Sequence, residues 1–182
     1  MVFNLPVLLT WLRIALIPLL VFLFYLDRDW APLAAATVFG IAGLTDWADG
    51  YLARLWQQES RFGAFLDPVA DKLIVAVALI LLVEREANAW MTLAAAIIIG
   101  REIVISALRE WMAESGARSK VAVAYIGKLK TTAQIIALIF LLYNQDLFGM
   151  LPLRECGLAA LVVATVLTVV SMIQYLRSAF TT

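Results

Sequence analysis

Six stretches of this sequence are almost entirely apolar, and each is long enough to form a helix that crosses a lipid bilayer. Such a helix needs about 20 consecutive apolar residues. The stretches are residues 7–26, 32–56, 62–83, 89–112, 121–143 and 158–176. Their apolar residues are continuous rather than alternating with polar ones, which favours helices over the strands of a membrane barrel. The sequence therefore predicts an all-α integral membrane protein with six transmembrane helices.

The composition supports this prediction and excludes several other classes of protein. Hydrophobic residues make up 64% of the chain, against about half in a soluble domain, so a disordered chain is excluded. The 14 basic and 14 acidic residues cancel, which argues against a nucleic-acid partner. The sequence has no histidine, so imidazole takes no part in any catalytic or metal site. No linker or repeat divides the chain, and we expect residues 1–182 to form a single transmembrane domain.

The distribution of lysine and arginine predicts how the chain is oriented in the membrane. With the amino terminus in the cytoplasm, the outer turns hold three basic residues, Arg28, Arg85 and Arg154, and the inner segments hold the other eleven. Basic residues are concentrated on the cytoplasmic side of membrane proteins. Both termini are therefore expected in the cytoplasm.

Most of the charges within the predicted helices fall in their cytoplasmic halves. The residues concerned are Arg13, Asp46, Asp49, Arg54, Asp67, Asp71, Arg101, Arg109 and Lys128. An ionisable side chain inside a membrane is costly, and it usually faces a charged partner or a water-filled space. Helices one to five are therefore expected to surround a polar cavity that opens to the cytoplasm.

The second and third predicted helices together carry four aspartates at helical spacing. On the second helix, one face with the spacing i, i+3, i+4, i+7 is formed by Asp46, Asp49, Gly50 and Ala53. On the third, Asp67 and Asp71 are four residues apart, and Gly63 lies one turn earlier on the same side. The connection between the helices is short, so we expect them to be antiparallel neighbours whose four carboxylates converge.

The start of the third helix is left open by the sequence. Pro68 suits the first turn of a helix, in which case Asp67 would be the capping residue. Alternatively, the helix begins earlier, near Arg61.

Four carboxylates in one place need compensating positive charge. Divalent metal ions supply it, and ligands that are all oxygen atoms suit Mg²⁺ or Mn²⁺ rather than Zn²⁺. Two such ions can bridge a diphosphate and neutralise its charge during phosphoryl transfer. Gly50, Ala53 and Gly63 are small enough to admit a bulky ligand beside the helix backbones. The guanidinium of Arg54 is suited to binding phosphate oxygens.

The aspartates have two other interpretations besides a phosphate-binding metal site. In the first, isolated aspartates form structural ion pairs with Arg54 or Arg101. In the second, the carboxylates line the ion path of a divalent-cation transporter. Ion transport does not require small residues beside a phosphate-binding arginine, and the outer halves of the predicted helices are almost uncharged. The pattern therefore favours an enzyme that acts on a phosphate compound.

The chain resembles the CDP-alcohol phosphatidyltransferase family. The eight fixed positions of that family's signature are all filled, as Asp46-x2-Asp49-Gly50-x2-Ala53-Arg54-x8-Gly63-x3-Asp67-x3-Asp71. The resemblance extends over nearly the whole chain and includes the segments NLPVLLTWLR, REIVISALREWM and GKLKTT. Within the family, the chain looks most like the bacterial members that join CDP-diacylglycerol to sn-glycerol 3-phosphate.

This resemblance implies a reaction, cofactors and residue roles. The reaction would transfer a phosphatidyl group to glycerol 3-phosphate and release CMP, for phospholipid biosynthesis in the bacterial inner membrane, and the protein would be a homodimer among membrane lipids. Two divalent cations, Mg²⁺ or Mn²⁺, would be bound by Asp46, Asp49 and Asp67, with Asp71 as their neighbour. Asp71 would be the general base, a metal ligand or both. The CDP group would contact Gly50, Ala53, Arg54 and Gly63.

The fourth predicted helix supplies candidate ligands for the phosphate of the acceptor. Arg101 and Arg109 are eight residues apart, so they lie within about 80° of each other around the helix. Paired cationic groups suit the dianionic phosphate of glycerol 3-phosphate. They favour a phosphorylated acceptor over serine and leave inositol phosphate open as an alternative. Glu102 and Glu110 each follow an arginine by one residue, and we expect them to face away from the cavity.

The fifth predicted helix begins with two lysines, of which one is expected to face the cavity. Lys128 and Lys130 diverge by about 200° around the helix. We expect Lys128 in the cavity as a third ligand of the acceptor phosphate, as the resemblance also implies. Lys130 is expected to lie near lipid headgroups.

Overall fold

The computed structural model describes the backbone of residues 5–56, 61–114, 125–146 and 151–180, which form six α-helices. Within these ranges, the side chains of residues 5–7, 46–56, 61–65, 67, 113–114, 125–128 and 178–180 are outside the description. The helices are α1 (Leu5–Phe24), α2 (Ala31–Trp56), α3 (Arg61–Glu86), α4 (Ala89–Glu114), α5 (Tyr125–Tyr143) and α6 (Leu153–Phe180). Each helix coincides with one of the six apolar stretches, so the predicted all-α class is confirmed.

The third helix begins before the residue at which it would start if Pro68 lay in its first turn. It starts at Arg61 and continues through Pro68, which lies inside the helix. A proline at such a position removes one backbone donor and leaves the carbonyl four residues earlier without its usual partner. Of the two starts that the sequence left open, the one near Arg61 is therefore correct.

The sixth helix also begins earlier than its apolar pattern indicated. It starts at Leu153, and its first turn contains Glu155 as well as Arg154. Nη2 of Arg154 donates a hydrogen bond of 2.6 Å to Oε2 of Glu86 at the end of α3. The charged first turn is thus attached to a neighbouring helix, which an apolar pattern does not reveal.

The apolar core fills the half of the bundle that contains the C-terminal ends of α1, α3 and α5. Fully buried side chains from all six helices contribute to it, for example Leu20, Ala42, Leu79, Ile98, Leu138 and Leu161. In the other half lie buried side chains that are charged or carry an amide, namely Arg13, Arg101, Lys130 and Gln134. The fold thus separates apolar packing from a polar region, and the candidate site lies in the polar region.

The outside of the bundle is strongly apolar. Large apolar side chains that are more than half exposed include Leu8, Phe22, Leu33, Leu44, Ile80 and Ile103. Among the described residues, Ala89–Met112 of α4 and Leu153–Arg177 of α6 have both the length and the apolar composition to cross a membrane. An apolar exterior around buried charges supports a membrane protein. Membrane spanning by the other four helices stays a prediction.

We predict that Gly157→Ala destabilises the protein, because α5 and α6 meet at this glycine without space for a methyl group. An added Cβ would lie 2.9 Å from Cγ of Leu141 and 3.1 Å from Cβ of Phe140. Overpacking of this kind costs about 1–3 kcal/mol, which is measured as a lower Tm of the purified protein in detergent.

Gly100→Ala is the matched control for Gly157→Ala. A Cβ added at Gly100 would have no described atom within 4 Å other than its chain neighbours and the backbone of its own helix. Alanine also favours a helix over glycine by about 1 kcal/mol. A Tm for Gly157→Ala that equals or exceeds the Tm for Gly100→Ala would show that the close contact is absent.

Candidate active site

A cavity of about 350 Å³ lies in the polar half of the bundle, and residues of α1 to α5 line it. Its charged lining residues are Arg13, Asp71, Lys72, Glu102, Arg109 and Lys130. Much of the remaining described wall is apolar and includes Phe39, Ile74 and Ile135. Side chains of the first five helices, several of them charged, therefore line one cavity. That this cavity is polar and opens to the cytoplasm stays a prediction.

Arg13 of α1 is the most deeply buried charged residue in the described part of the chain, with 1% of its surface exposed. Its Nη1 donates a hydrogen bond to Oδ1 of Asp71, and this ion pair joins α1 to α3. A buried guanidinium without a partner would be strongly destabilising, so the ion pair with Asp71 offsets the free-energy cost of burying Arg13. The ion pair also holds the carboxylate of Asp71 at the cavity wall.

Glu102 of α4 joins two further buried cations. Its Oε1 accepts a hydrogen bond from Nζ of Lys130 at 2.6 Å and another from Nη1 of Arg101 at 3.0 Å. Lys130 is 2% exposed and Arg101 is 7% exposed, so one carboxylate compensates two buried positive charges. Because Glu102 and Lys130 both line the cavity, this ion network forms part of its wall.

The network corrects two expectations from the sequence. Glu102 was expected to face away from the cavity, but it lines the cavity. Lys130 was expected near lipid headgroups, but it is buried and paired. Consecutive helical residues point about 100° apart, yet the long side chains of glutamate and lysine bend far enough to reach a partner on a neighbouring helix. The side chain of Lys128 lies outside the described residues, so its expected place in the cavity is not tested.

The two arginines of α4 both contact α6. Nη2 of Arg109 donates a 3.0 Å hydrogen bond to the hydroxyl of Tyr175, and Nη2 of Arg101 donates one of 3.4 Å to Oγ of Ser171. The guanidinium carbons of Arg101 and Arg109 lie 5.8 Å and 5.4 Å from the centre of the Tyr175 ring. The two arginines therefore share a side of α4, as predicted. Arg109 lines the cavity, whereas Arg101 is linked to the cavity wall through Glu102.

Arg13, Lys72 and Gln134 line the cavity, and none of them was assigned a role from the sequence. Arg13 was noted only as an embedded charge, although a lone arginine in an apolar helix already implies an acidic partner. Lys72 of α3 donates a hydrogen bond from Nζ to Oγ of Ser106 on α4. Gln134 of α5 is 5% exposed, and its Oε1 has no hydrogen-bond partner among the described atoms. Its spacing of four residues from Lys130 places both on one face of α5, which is the only sequence signal for it.

The other signature residues occupy helix positions that continue the cavity-lining faces of α2 and α3. Ala42 and Gly43 line the cavity, and Asp46 follows Ala42 by four residues, or about one helical turn. Asp67 likewise precedes Asp71 by four residues. The side-chain surroundings of the following signature residues lie outside the description: Asp46, Asp49, Gly50, Ala53, Arg54, Gly63 and Asp67. Their backbone positions are in register with the cavity, and their roles stay predictions.

The chemistry of the four aspartates fits a hard divalent cation. Carboxylate oxygens are the ligands that Mg²⁺ and Mn²⁺ prefer, and Asp71 holds such a group at the cavity wall. Among the residues whose side chains are described, no three acidic or cysteine residues form a cluster. The other three predicted ligands, Asp46, Asp49 and Asp67, lie outside that set.

Comparison with known proteins gives one family and closely similar relatives. The model of the CDP-alcohol phosphatidyltransferase family matches residues 3–174. The chain is 56% identical over 179 residues to the CDP-diacylglycerol–glycerol-3-phosphate 3-phosphatidyltransferase of Salmonella choleraesuis strain SC-B67. It is 55% identical to the protein of the same name from Escherichia coli strain K12. Each alignment covers 98% of this chain and 96% of the relative.

We predict that Glu102→Gln lowers the Tm of the purified protein, because the change removes the negative charge that compensates buried Lys130. A hydrogen bond to a charged group contributes about 1.5–3 kcal/mol. Glu110→Gln is the matched control, because Glu110 is exposed on the same helix. Replacement of the lysine as well, in Glu102→Gln with Lys130→Met, should restore part of the lost stability, since no unpaired lysine remains. Purely additive losses in this double variant would contradict the ion pair.

Proposed function

The chain belongs to the CDP-alcohol phosphatidyltransferase family, and we propose that it transfers the phosphatidyl group of CDP-diacylglycerol to sn-glycerol 3-phosphate. The products are phosphatidylglycerophosphate and CMP. The observation that carries the proposal is the cavity, in which the cationic Arg109 and Lys130 lie together with the carboxylate of Asp71. A phosphorylated alcohol needs the cationic groups, and its hydroxyl needs a group that takes its proton.

We place this reaction at the cytoplasmic face of the bacterial inner membrane. Residues 1–182 form one domain with six transmembrane helices and both termini in the cytoplasm, and two chains form a homodimer. The apolar exterior supports this placement, as do the length and composition of α4 and α6. The lipid donor enters from the bilayer, while glycerol 3-phosphate and CMP exchange with water.

The donor is bound at the signature residues of α2 and α3. Asp46, Asp49, Asp67 and Asp71 are the proposed ligands of two divalent cations, Mg²⁺ or Mn²⁺. When bound, these cations supply positive charge that neutralises the diphosphate of the donor. The CDP group lies against Gly50, Ala53, Gly63 and the guanidinium of Arg54. The register of these positions with the lining residues Ala42 and Asp71 supports this arrangement.

The acceptor phosphate is bound at the cationic wall formed by α4 and α5. Arg101, Arg109 and Lys128 are its proposed ligands, and the ammonium of Lys130 adds positive charge to the same wall. Glu102 limits that charge, since it pairs with both Lys130 and Arg101. The wall suits a dianion better than a neutral alcohol, and this favours glycerol 3-phosphate over serine.

Asp71 is the proposed general base. The hydroxyl oxygen of the acceptor attacks the phosphorus that bears the diacylglycerol, and Asp71 takes the hydroxyl proton. A new oxygen–phosphorus bond forms, the bond between that phosphorus and the CMP oxygen breaks, and CMP leaves. Arg13 orients the carboxylate through their ion pair. Since the sequence contains no histidine, a carboxylate is the natural group for this proton transfer.

The direct test is CMP release by the purified protein with CDP-diacylglycerol, Mg²⁺ and a series of alcohols. Glycerol 3-phosphate should give the fastest release, and inositol phosphate, serine and glycerol should be slower. Faster release with inositol phosphate or serine would assign the same chemistry to another alcohol. Flux of divalent cations into vesicles without any CMP release would identify a transporter instead.

We predict that Asp71→Asn collapses kcat but leaves CDP-diacylglycerol binding largely intact. Asparagine keeps the size and one oxygen of aspartate but does not accept a proton at neutral pH.

Asp46→Asn, Asp49→Asn and Asp67→Asn should each abolish transfer in a folded protein, because anionic ligands of the cations are lost. The measurements are kcat and donor binding during a Mg²⁺ titration.

The control for these variants is Asp27→Asn, since Asp27 is exposed between α1 and α2 and its loss should leave kcat unchanged. Rescue of Asp71→Asn by high Mg²⁺ would identify Asp71 as a metal ligand rather than the base. Wild-type turnover in any of the other three variants would remove that residue from the proposed ligands.

We predict that Arg109→Ala raises the KM for glycerol 3-phosphate about ten- to hundredfold, because a charge-assisted hydrogen bond contributes about 1.5–3 kcal/mol. Arg101→Ala should act in the same direction. The KM for CDP-diacylglycerol should change far less in both variants. Arg28→Ala, at an exposed arginine between α1 and α2, is the control and should change neither KM. Equal changes in the two KM values would place these arginines outside the acceptor site.

A further inference from the structure

Tyr175 lies near the end of α6, a helix that supplies none of the described residues lining the cavity. It is 6% exposed and lies just beyond residue 174, where the match to the family model ends. A buried tyrosine in an apolar helix usually packs its ring and bonds its hydroxyl to a partner. The partners of Tyr175 are therefore informative about its role.

Both arginines of α4 have their guanidinium groups next to this one ring. Cζ of Arg101 lies 5.8 Å from the ring centre, and Cζ of Arg109 lies 5.4 Å from it. Both distances are within the range of a cation–π interaction. The hydroxyl of Tyr175 also accepts the 3.0 Å hydrogen bond from Nη2 of Arg109. One side chain thus contacts Arg101 and Arg109, two of the three cations proposed to bind the acceptor phosphate.

Two guanidinium groups held near one another repel, and long arginine side chains lose considerable rotational freedom when they are fixed in place. An aromatic ring between α4 and α6 offsets both effects, because its negative face attracts the cations and its own side chain has few rotamers. Arg101 has Glu102 and Ser171 as further partners. For Arg109, the described partner is Tyr175 alone.

We infer that Tyr175 is a positioning residue of the acceptor site, which holds Arg109, and to a lesser degree Arg101, in the orientation that binds the phosphate of the acceptor alcohol. This inference rests on the proposed function. Tyr175 acts through the arginines and does not contact the reacting atoms. Its loss therefore weakens binding of the acceptor and leaves binding of the CDP-lipid unchanged.

The test compares two substitutions in the full-length protein, purified in detergent with Mg²⁺. Tyr175→Phe keeps the ring and removes only the hydrogen bond to Arg109, so the KM for glycerol 3-phosphate should rise about three- to tenfold. Tyr175→Leu removes the ring as well, so that KM should rise about ten- to hundredfold. The KM for CDP-diacylglycerol should stay within about twofold in both variants, since the described contacts of Tyr175 are with the arginines of the acceptor site.

Tyr25→Phe is the matched control. The hydroxyl of Tyr25 also takes part in a hydrogen bond, which it donates to Oε2 of Glu84, but Tyr25 is exposed at the opposite end of the bundle. Its substitution should change neither KM. Tyr175→Phe keeps nearly the whole volume of tyrosine, so it decides the question if Tyr175→Leu does not fold.

Calorimetric titration of each variant with glycerol 3-phosphate separates this inference from the proposed function, because it needs no turnover. A graded loss of affinity from wild type to Tyr175→Phe to Tyr175→Leu supports the inference even if CMP release favours another alcohol. Unchanged affinity and KM in Tyr175→Leu, or equal increases in both KM values, would overturn it. Wild-type protein that does not bind glycerol 3-phosphate would overturn the inference and the proposed function together.

Discussion

In the described part of this bundle, the buried basic residues have acidic partners on their own or a neighbouring helix, and that requirement organises the polar half. Arg13 pairs with Asp71 across α1 and α3, and Glu102 pairs with both Lys130 and Arg101 on α5 and α4. An unpaired charge in such surroundings would be strongly destabilising. The ion pairs that stabilise the bundle therefore also fix the charged groups around the cavity.

The described lining residues of the cavity carry more positive than negative charge, and this excess suits an anionic ligand. Among the described lining residues, Arg13, Lys72, Arg109 and Lys130 are cationic, while Asp71 and Glu102 are anionic. Two further carboxylate positions, Asp46 and Asp67, lie about one turn from the lining residues of α2 and α3. In the proposed reaction, α2 and α3 would bind the diphosphate of the donor with its cations. The arginines and lysines of α4 and α5 would bind the acceptor phosphate.

The sixth helix supports this site without lining the described cavity. Gly157 lets it approach α5 closely, since an added Cβ would meet Leu141 at 2.9 Å. Nearer the C-terminal end of α6, Ser171 accepts a hydrogen bond from Arg101, and Tyr175 accepts one from Arg109. A helix whose composition indicates only membrane spanning thus contributes the polar groups that fix two cations on α4. Apolar and polar side chains share its buried face, since Ala164, Ser171 and Tyr175 are all buried at helical spacing.

The six helices, the all-α class and the spacing of the four aspartates follow from the sequence alone, because apolar run length and the repeat of about 3.6 residues per turn are local properties. The sequence also placed Arg101 and Arg109 on one side of α4. Three features depend on how the helices pack: Arg13 pairs with Asp71, Glu102 and Lys130 line the cavity, and Tyr175 contacts both arginines. The direction in which a long charged side chain bends depends on the partner that a neighbouring helix offers, and helical spacing contains no information about that partner.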